Sequence, residues 1–206
     1  MNKRSNGKMK YRMLSILGLV IFFGVWEAAV RLGWVSHRSL NAPSEVVETF
    51  IYKLTNANPD GSTLPQHFFQ SLKLALTSFI IATIIGVPLG WIMGYYKVAD
   101  FLLNPLFEII RPIPPIAWIP IVILTMGIGM SAKVFIIFVA AFVPNVINSY
   151  LGIRLTDATL INVAKTFGAS DWKIFTTVCI PSSMNMVFTG IRLSLNASWT
   201  TLVAAE

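Results

Sequence analysis

Cysteine, histidine and charge are all scarce in this chain. One cysteine, Cys179, stands among 206 residues, which excludes an internal disulfide and any cysteine-based metal site. Its apolar neighbours make it a small buried hydrophobe. The two histidines, His37 and His67, fall in one polar stretch, and neither lies at ligand spacing from a second histidine or cysteine. No metal site is assigned. Nor is there a G-x-x-x-x-G-K-[ST] phosphate loop, because Gly7-Lys8 is followed by Met9. Charged residues make up 12% of the chain, against about 25% in a soluble domain.

Apolar residues fill the space. They are 55% of the sequence, and the mean hydropathy is +0.68. Residues 74–96, 112–132 and 134–153 hold no charge at all, and each run approaches the ~20 residues that cross a ~30 Å hydrocarbon core. The chain reads as an all-α polytopic membrane protein. Its net charge of +7 does not point to nucleic acid, since five of the sixteen basic residues (Lys3, Arg4, Lys8, Lys10, Arg12) crowd the start, directly before an apolar run. Basic residues flanking a span mark its cytoplasmic side, so the N-terminus is expected in the cytoplasm. A cleaved leader would begin similarly, but Glu27-Ala28-Ala29 is not a small-x-small cleavage pattern and further spans follow.

Spans are expected at 13–30, 72–95, 104–128, 133–150 and 184–206, after a basic cytoplasmic arm at 1–12. The external loop 31–70 carries Pro43, Asn58-Pro59-Asp60-Gly61 and Pro65 as breakers. Within it, Ser44 is expected to cap a short helix whose apolar positions Val47, Phe50, Ile51 and Leu54 share a face. Residues 151–182 form a cytoplasmic loop, consistent with Arg154, Lys165 and Lys173. The apolar run Leu193–Ala205 is still unflanked near Glu206, so a sixth span is expected to follow.

Four patterns go beyond topology. Gly86, Gly90 and Gly94 lie on one helical face and allow a neighbouring helix to approach closely. The stretch 109–120, "IIRPIPPIAWIP", places four prolines and Arg111 in an apolar segment. Broken backbone at membrane depth survives only inside protein or beside a wet cavity. Two readings stay open there: Arg111, Pro112, Pro115 and Trp118 line a pathway, or a structural kink carries a local Glu108–Arg111 pair. Thr189, Arg192, Asn196 and Thr200 form one polar stripe on the last span, again suited either to a pathway or to helix–helix hydrogen bonding.

The fourth pattern is "DATLINVAKTFGASDWKIFTTVCIP", Asp157–Pro181. Asp157 caps one short helix with Leu160, Val163, Ala164 and Phe167 as its apolar face. Gly168 stops it, and Ser170 caps a second short helix over 171–178, ahead of a span that starts after Pro181. An apolar hairpin on the inner face suits a docking site, or equally a loop tucked against its own bundle.

The segment resembles the coupling loop of permease subunits in bacterial binding-protein-dependent ABC importers, whose pattern is Glu-Ala-Ala, then Gly, then Ile-x-Leu-Pro. Ala164, Gly168 and Pro181 match, Val178 and Ile180 are apolar substitutes, and Asn162 and Val163 depart from the pattern. "GVPLGWIMG", "RPIPPIAWIPIVILTMGIG" and "GIRLSLNASWTTLVAAE" are similar to the subfamily importing nitrate, sulfonates, taurine, bicarbonate or thiamine precursors. The resemblance implies a type I importer transmembrane domain in the bacterial inner membrane, working as a pair of permeases, a homodimer here. Two ATP-binding subunits would carry ATP and Mg, this chain binding no cofactor itself, and an external solute-binding protein, periplasmic or lipid-anchored, would deliver a small anion. Membrane lipid is the remaining partner. The implied docking surface is Asn162, Val163, Ala164, Lys165, Phe167, Gly168, Ala169, Ser170, Asp171 and Phe175. An ion-gradient transporter would instead need midplane acids and an inverted repeat, which the sequence does not display. A non-transporting scaffold is the third class.

Overall fold

The computed structural model describes residues 3–36, 39–59 and 61–205, with side chains from Lys10 onward. His37, Asp60 and Glu206 lie outside the described residues. The chain divides into two units, Met1–Phe68 and Phe69–Glu206.

In the first unit, α1 (Lys3–Arg31) is helical through the basic arm, and a segment long and apolar enough to cross a membrane lies within Lys10–Arg31. α2 (Pro43–Thr55) is fastened to it by Glu27. That carboxylate accepts from Arg31 Nε at 2.6 Å, from Ser44 Oγ at 2.7 Å and from Ser44 N at 3.1 Å. Ser44 therefore does not cap α2 as expected. Ala42 is the N-cap and Pro43 the first helical residue, where its missing N–H has no role. The side chain of Glu45 accepts instead from Ala42 N at 3.2 Å.

The second unit is organised around three helices: α3 (Leu64–Tyr95), α6 (Met130–Arg154) and a final long helix, α8 (Asp171–Ala205). α3 and α6 run parallel, since Gly86 meets Asn145, Gly90 meets Val146 and Ser149, and Gly94 meets Ile153. α8 runs antiparallel to α6, with Gly152 against Ser183 and Gly190 against Asn148. Lipid is as apolar as leucine, so helices in it associate through close packing and hydrogen bonds. The buried faces are small accordingly: Ala75, Ser78, Ala82, Ala140, Ala141, Ser194 and Ser198. One end of the bundle closes on Leu74, Ile137 and Leu202, and the other on Ile153, Ile174, Phe175 and Cys179. At its centre, Asn145 Nδ2 lies within hydrogen-bond reach of Thr83 Oγ1 (3.1 Å) and Ser194 Oγ (2.9 Å), joining all three helices.

Because α3 and α6 are parallel, residues 97–129 must carry the chain back from the Tyr95 end to the Met130 end. They do not do so as one kinked helix over 104–128. α4 (Lys97–Ile110) ends just before the prolines, a 3-10 turn occupies Pro115–Trp118, and α5 (Ile119–Met126) follows, the two arms meeting at 86°. Pro112, Pro114 and Pro115 remove three N–H donors within four residues, which no continuous helix tolerates. Among the described residues, four helices are long and apolar enough to cross a membrane, or five if the bent pair counts as one crossing. The last span also differs from expectation. Residues 171–178 are not a separate helix but the first turns of α8, which passes Pro181 unbroken by widening into a π turn at Phe175–Cys179.

A Cβ built on Gly90 would lie 2.5 Å from the Val146 carbonyl oxygen and 2.7 Å from Ser149 Cβ. Gly90→Ala is expected to lose about 1–3 kcal/mol to overpacking. Its thermal unfolding in detergent should shift down, whereas Gly18→Ala, with nothing within 4 Å, should not shift. Equal midpoints for the two variants would contradict the packing.

Candidate docking and pathway surfaces

The segment between α6 and α8 is built by local capping. The Asp157 carboxylate accepts from Thr159 N at 2.8 Å, opening α7 (Ala158–Thr166). That bond from the Thr159 backbone, with its hydroxyl adding to it, holds the Asp157 carboxyl below the usual carboxylate range. At the other end, Gly168 takes φ 73°, a left-handed conformation that disfavours side chains. Gly168 N then donates to Lys165 O at 2.9 Å and Ala169 N to Ala164 O at 3.1 Å, the paired bonds of a Schellman stop. Ser170 Oγ accepts from Lys173 N to start α8.

α7 therefore has two apolar sides. Ile161 and Ala164 turn inward and join Ala169 against the cluster of Ile153, Ile174, Phe175 and Cys179. Leu160, Val163 and Phe167, at i, i+3 and i+7, turn outward and are 51%, 49% and 85% exposed. Of the docking residues read from the sequence, Asn162, Val163, Lys165, Phe167, Gly168, Ser170 and Asp171 are exposed, and Ala164 and Ala169 are half-buried. Phe175 is a correction. It is buried, its ring 4.9 Å from Tyr95, 5.7 Å from Tyr96 and 5.7 Å from Trp172, so it supports the surface from beneath. Tyr95 Oη also donates to Asp171 O at 3.0 Å, binding the end of α3 to the start of α8. Sequence reasoning missed Trp172, which is 65% exposed at the start of α8, its ring against that of Phe175. The available signal was its place in the first turn after the Ser170 cap, where side chains clear the bundle.

The proposed pathway residues divide into two groups. Arg111 pairs with Glu108 at 3.1 Å, both side chains about half exposed, beside a cavity of about 150 Å³ that also reaches Asn104 and Tyr150. Pro112 is exposed, Pro115 half-buried, and Trp118 packs on Val122, Ala132 and Ile136. Thr189, Arg192, Asn196 and Thr200 make an exposed stripe on α8, opposite the buried Ser183, Val187, Gly190, Ser194 and Ser198. Thr189 and Thr200 return their hydroxyls to Asn185 O and Asn196 O on their own helix. The Arg192 guanidinium and the Asn196 amide have no side-chain partner among the described residues. A guanidinium facing lipid at a helix centre costs about 2.5–3.5 kcal/mol, so this face is built to meet protein or water. Also among the described residues, no cluster of three potential metal ligands occurs.

Residues 86–206 match the family described as binding-protein-dependent transport system inner membrane component. The chain is 35% identical over 201 residues to a probable ABC transporter permease protein of Brucella melitensis, covering 98% of this chain and 78% of that one. It is 33% identical over 196 residues to the taurine transport system permease protein TauC of Escherichia coli, covering 94% and 70%. With the bicarbonate transport system permease protein CmpB of Synechococcus elongatus it shares 29% over 214 residues, covering 98% and 76%. The bent proline-rich crossing, the capped hairpin and the small-residue bundle all fall largely or wholly within the matched region, and the chain belongs to this family of multi-pass ABC transporter permeases.

Proposed function

We propose that this permease forms half of the pathway of an ATP-driven importer for a small anion, as a homodimer, and that α7 is where a separate ATPase subunit grips it. The observation that carries this reading is the exposed ridge Leu160–Val163–Phe167 at the basic end of the bundle. Lys97, Arg154, Lys165 and Lys173 gather at that end, and an excess of Lys and Arg marks the cytoplasmic side. The N-terminus is then cytoplasmic too. With no phosphate loop in this chain, ATP and Mg reside in the partner, and a solute-binding protein outside the inner membrane delivers the cargo.

The mechanical route follows from the packing. Ile161 and Ala164 of α7 press on Ile174 and Phe175, in the first turns of α8. The same helix carries the polar stripe, with Arg192 about 32 Å along it at 1.5 Å per residue. A partner that moves α7 moves the stripe. Alternating access requires that the two states differ in their contacts, and facing stripes from two permeases supply them. Taurine and bicarbonate, named for two relatives, are small and carry an anionic group, which suits the unpaired Arg192.

Val163→Asp and Phe167→Asp each put a charge in the ridge. Either is expected to weaken ATPase-subunit binding about 30-fold, the scale of an interface hot spot, while the permease elutes as a folded species. Co-purification at wild-type yield would overturn the docking role. For the pathway, Arg192→Leu is expected to lower anion uptake in proteoliposomes about tenfold or more, one desolvated charge contact. Unchanged uptake would remove Arg192 from the route.

Asp157 gives a pH test. Its folded carboxyl lies below the unfolded value of about 3.9, so the cap contributes above that value and is lost only as pH falls through the lowered one. Protection of the Thr159 amide against hydrogen exchange should stay flat from about pH 5 to 8 and fall throughout that range in Asp157→Ala. A loss of protection in the native chain within that window would contradict the assignment.

A further inference from the structure

On the outward side of the α3–α6 pair, two cavities of about 550 Å³ and 520 Å³ adjoin. They share Met130 and Val134, and so form one groove. The ridge Lys73–Thr77–Ile81–Ile85 of α3, at i+4 spacing, forms one wall, and Met130–Val134–Phe138 of α6 the other. Gln70, Lys73 and Thr77 converge at one end, and the only polar residue lining the second cavity is Ser131, at the start of α6. Beyond Thr77 every α3 lining residue is apolar, and Ile81 and Ile85 are exposed. Among the described residues no carboxylate lies within ion-pair reach of Lys73.

The dimensions point to an occupant. From Lys73 to Ile85 is twelve residues, about 18 Å of helix, and one leaflet is half of a ~30 Å core, about 15 Å. A cation with two uncharged hydrogen-bonding groups at the membrane boundary, above an apolar track one leaflet deep, matches a phosphodiester with its acyl chain. A free anion would use only the polar end and leave the track empty. A packed helix would have to bring its own carboxylate to meet Lys73. We propose that this groove binds one anionic phospholipid, its phosphodiester at Lys73 and an acyl chain laid along Ile81, Ile85 and Phe138. The site lies at the end of the bundle remote from α7.

The test uses the permease assembled with its partner subunits in nanodiscs of equal phosphatidylglycerol and phosphatidylcholine. Cys179 is buried, so a fluorophore on Ile85→Cys reports the groove alone. Phosphatidylglycerol with brominated chains is expected to quench it with about fivefold preference over brominated phosphatidylcholine, the effect of one lysine near a membrane phosphate. Lys73→Gln should abolish the preference, Lys73→Arg should keep it, and Lys10→Gln, on α1, should leave it intact. Equal quenching by the two lipids, a preference that survives Lys73→Gln, or no quenching by either because protein fills the groove would each overturn the proposal.

Discussion

The contact between Gly90 and the Val146 carbonyl is the constraint on which the rest of the structure depends. In hydrocarbon there is no hydrophobic drive to bring helices together, so their association rests on close approach and on hydrogen bonds that lipid cannot replace. Gly86, Gly90 and Gly94 let α3 lie directly on the α6 backbone. Once those two are parallel and in contact, the chain between them has to recross the bundle, and the proline-rich break is the form that crossing takes. Small residues on α8 complete the arrangement against the opposite face of α6, and Asn145 ties the three helices at mid-height.

A bundle packed this closely moves as a body, because a dense interface slips between discrete arrangements and does not deform smoothly. That is why the position of α7 matters. Its inward residues rest on the same cluster that anchors the start of α8 and the end of α3, and its outward residues are exposed, the surface proposed above for a partner. The polar stripe stands on the far side of α8, away from everything that packs within the chain. In the proposed importer, force would enter at one surface and polarity would wait at another, joined by one helix that Pro181 does not interrupt.

Much of this was legible in the sequence, and what was not has physical reasons. Asp157, Gly168 and Ser170 could be placed because caps and stops are decided by neighbours a few residues away. The glycine spacing gave a packing face, although not its partner helix. Four prolines announced a break but not an 86° bend, which depends on where α6 and α8 leave room. Pro181 read as a boundary, because a local rule cannot foresee a π turn that absorbs it. Phe175 was placed on the surface for a related reason: over one short turn, periodicity cannot say which side faces the bundle. Ser44 misled because its hydroxyl was claimed by Glu27, seventeen positions earlier. The groove at Lys73 needed two helices set side by side before it existed at all.

The central claim is that the α7 hairpin, proposed to meet the ATPase, and the polar stripe belong to one moving body. The most direct test is the thiol accessibility of Asn196→Cys in the reconstituted importer, measured with a membrane-impermeant reagent in nucleotide-free and ATP-trapped states. The account predicts that position 196 changes the side from which it can be labelled when nucleotide is trapped. It also predicts that a cross-link fixing residue 163 to the ATPase subunit preserves that change. Identical labelling in both states, with the ATPase subunit bound and hydrolysing, would contradict it.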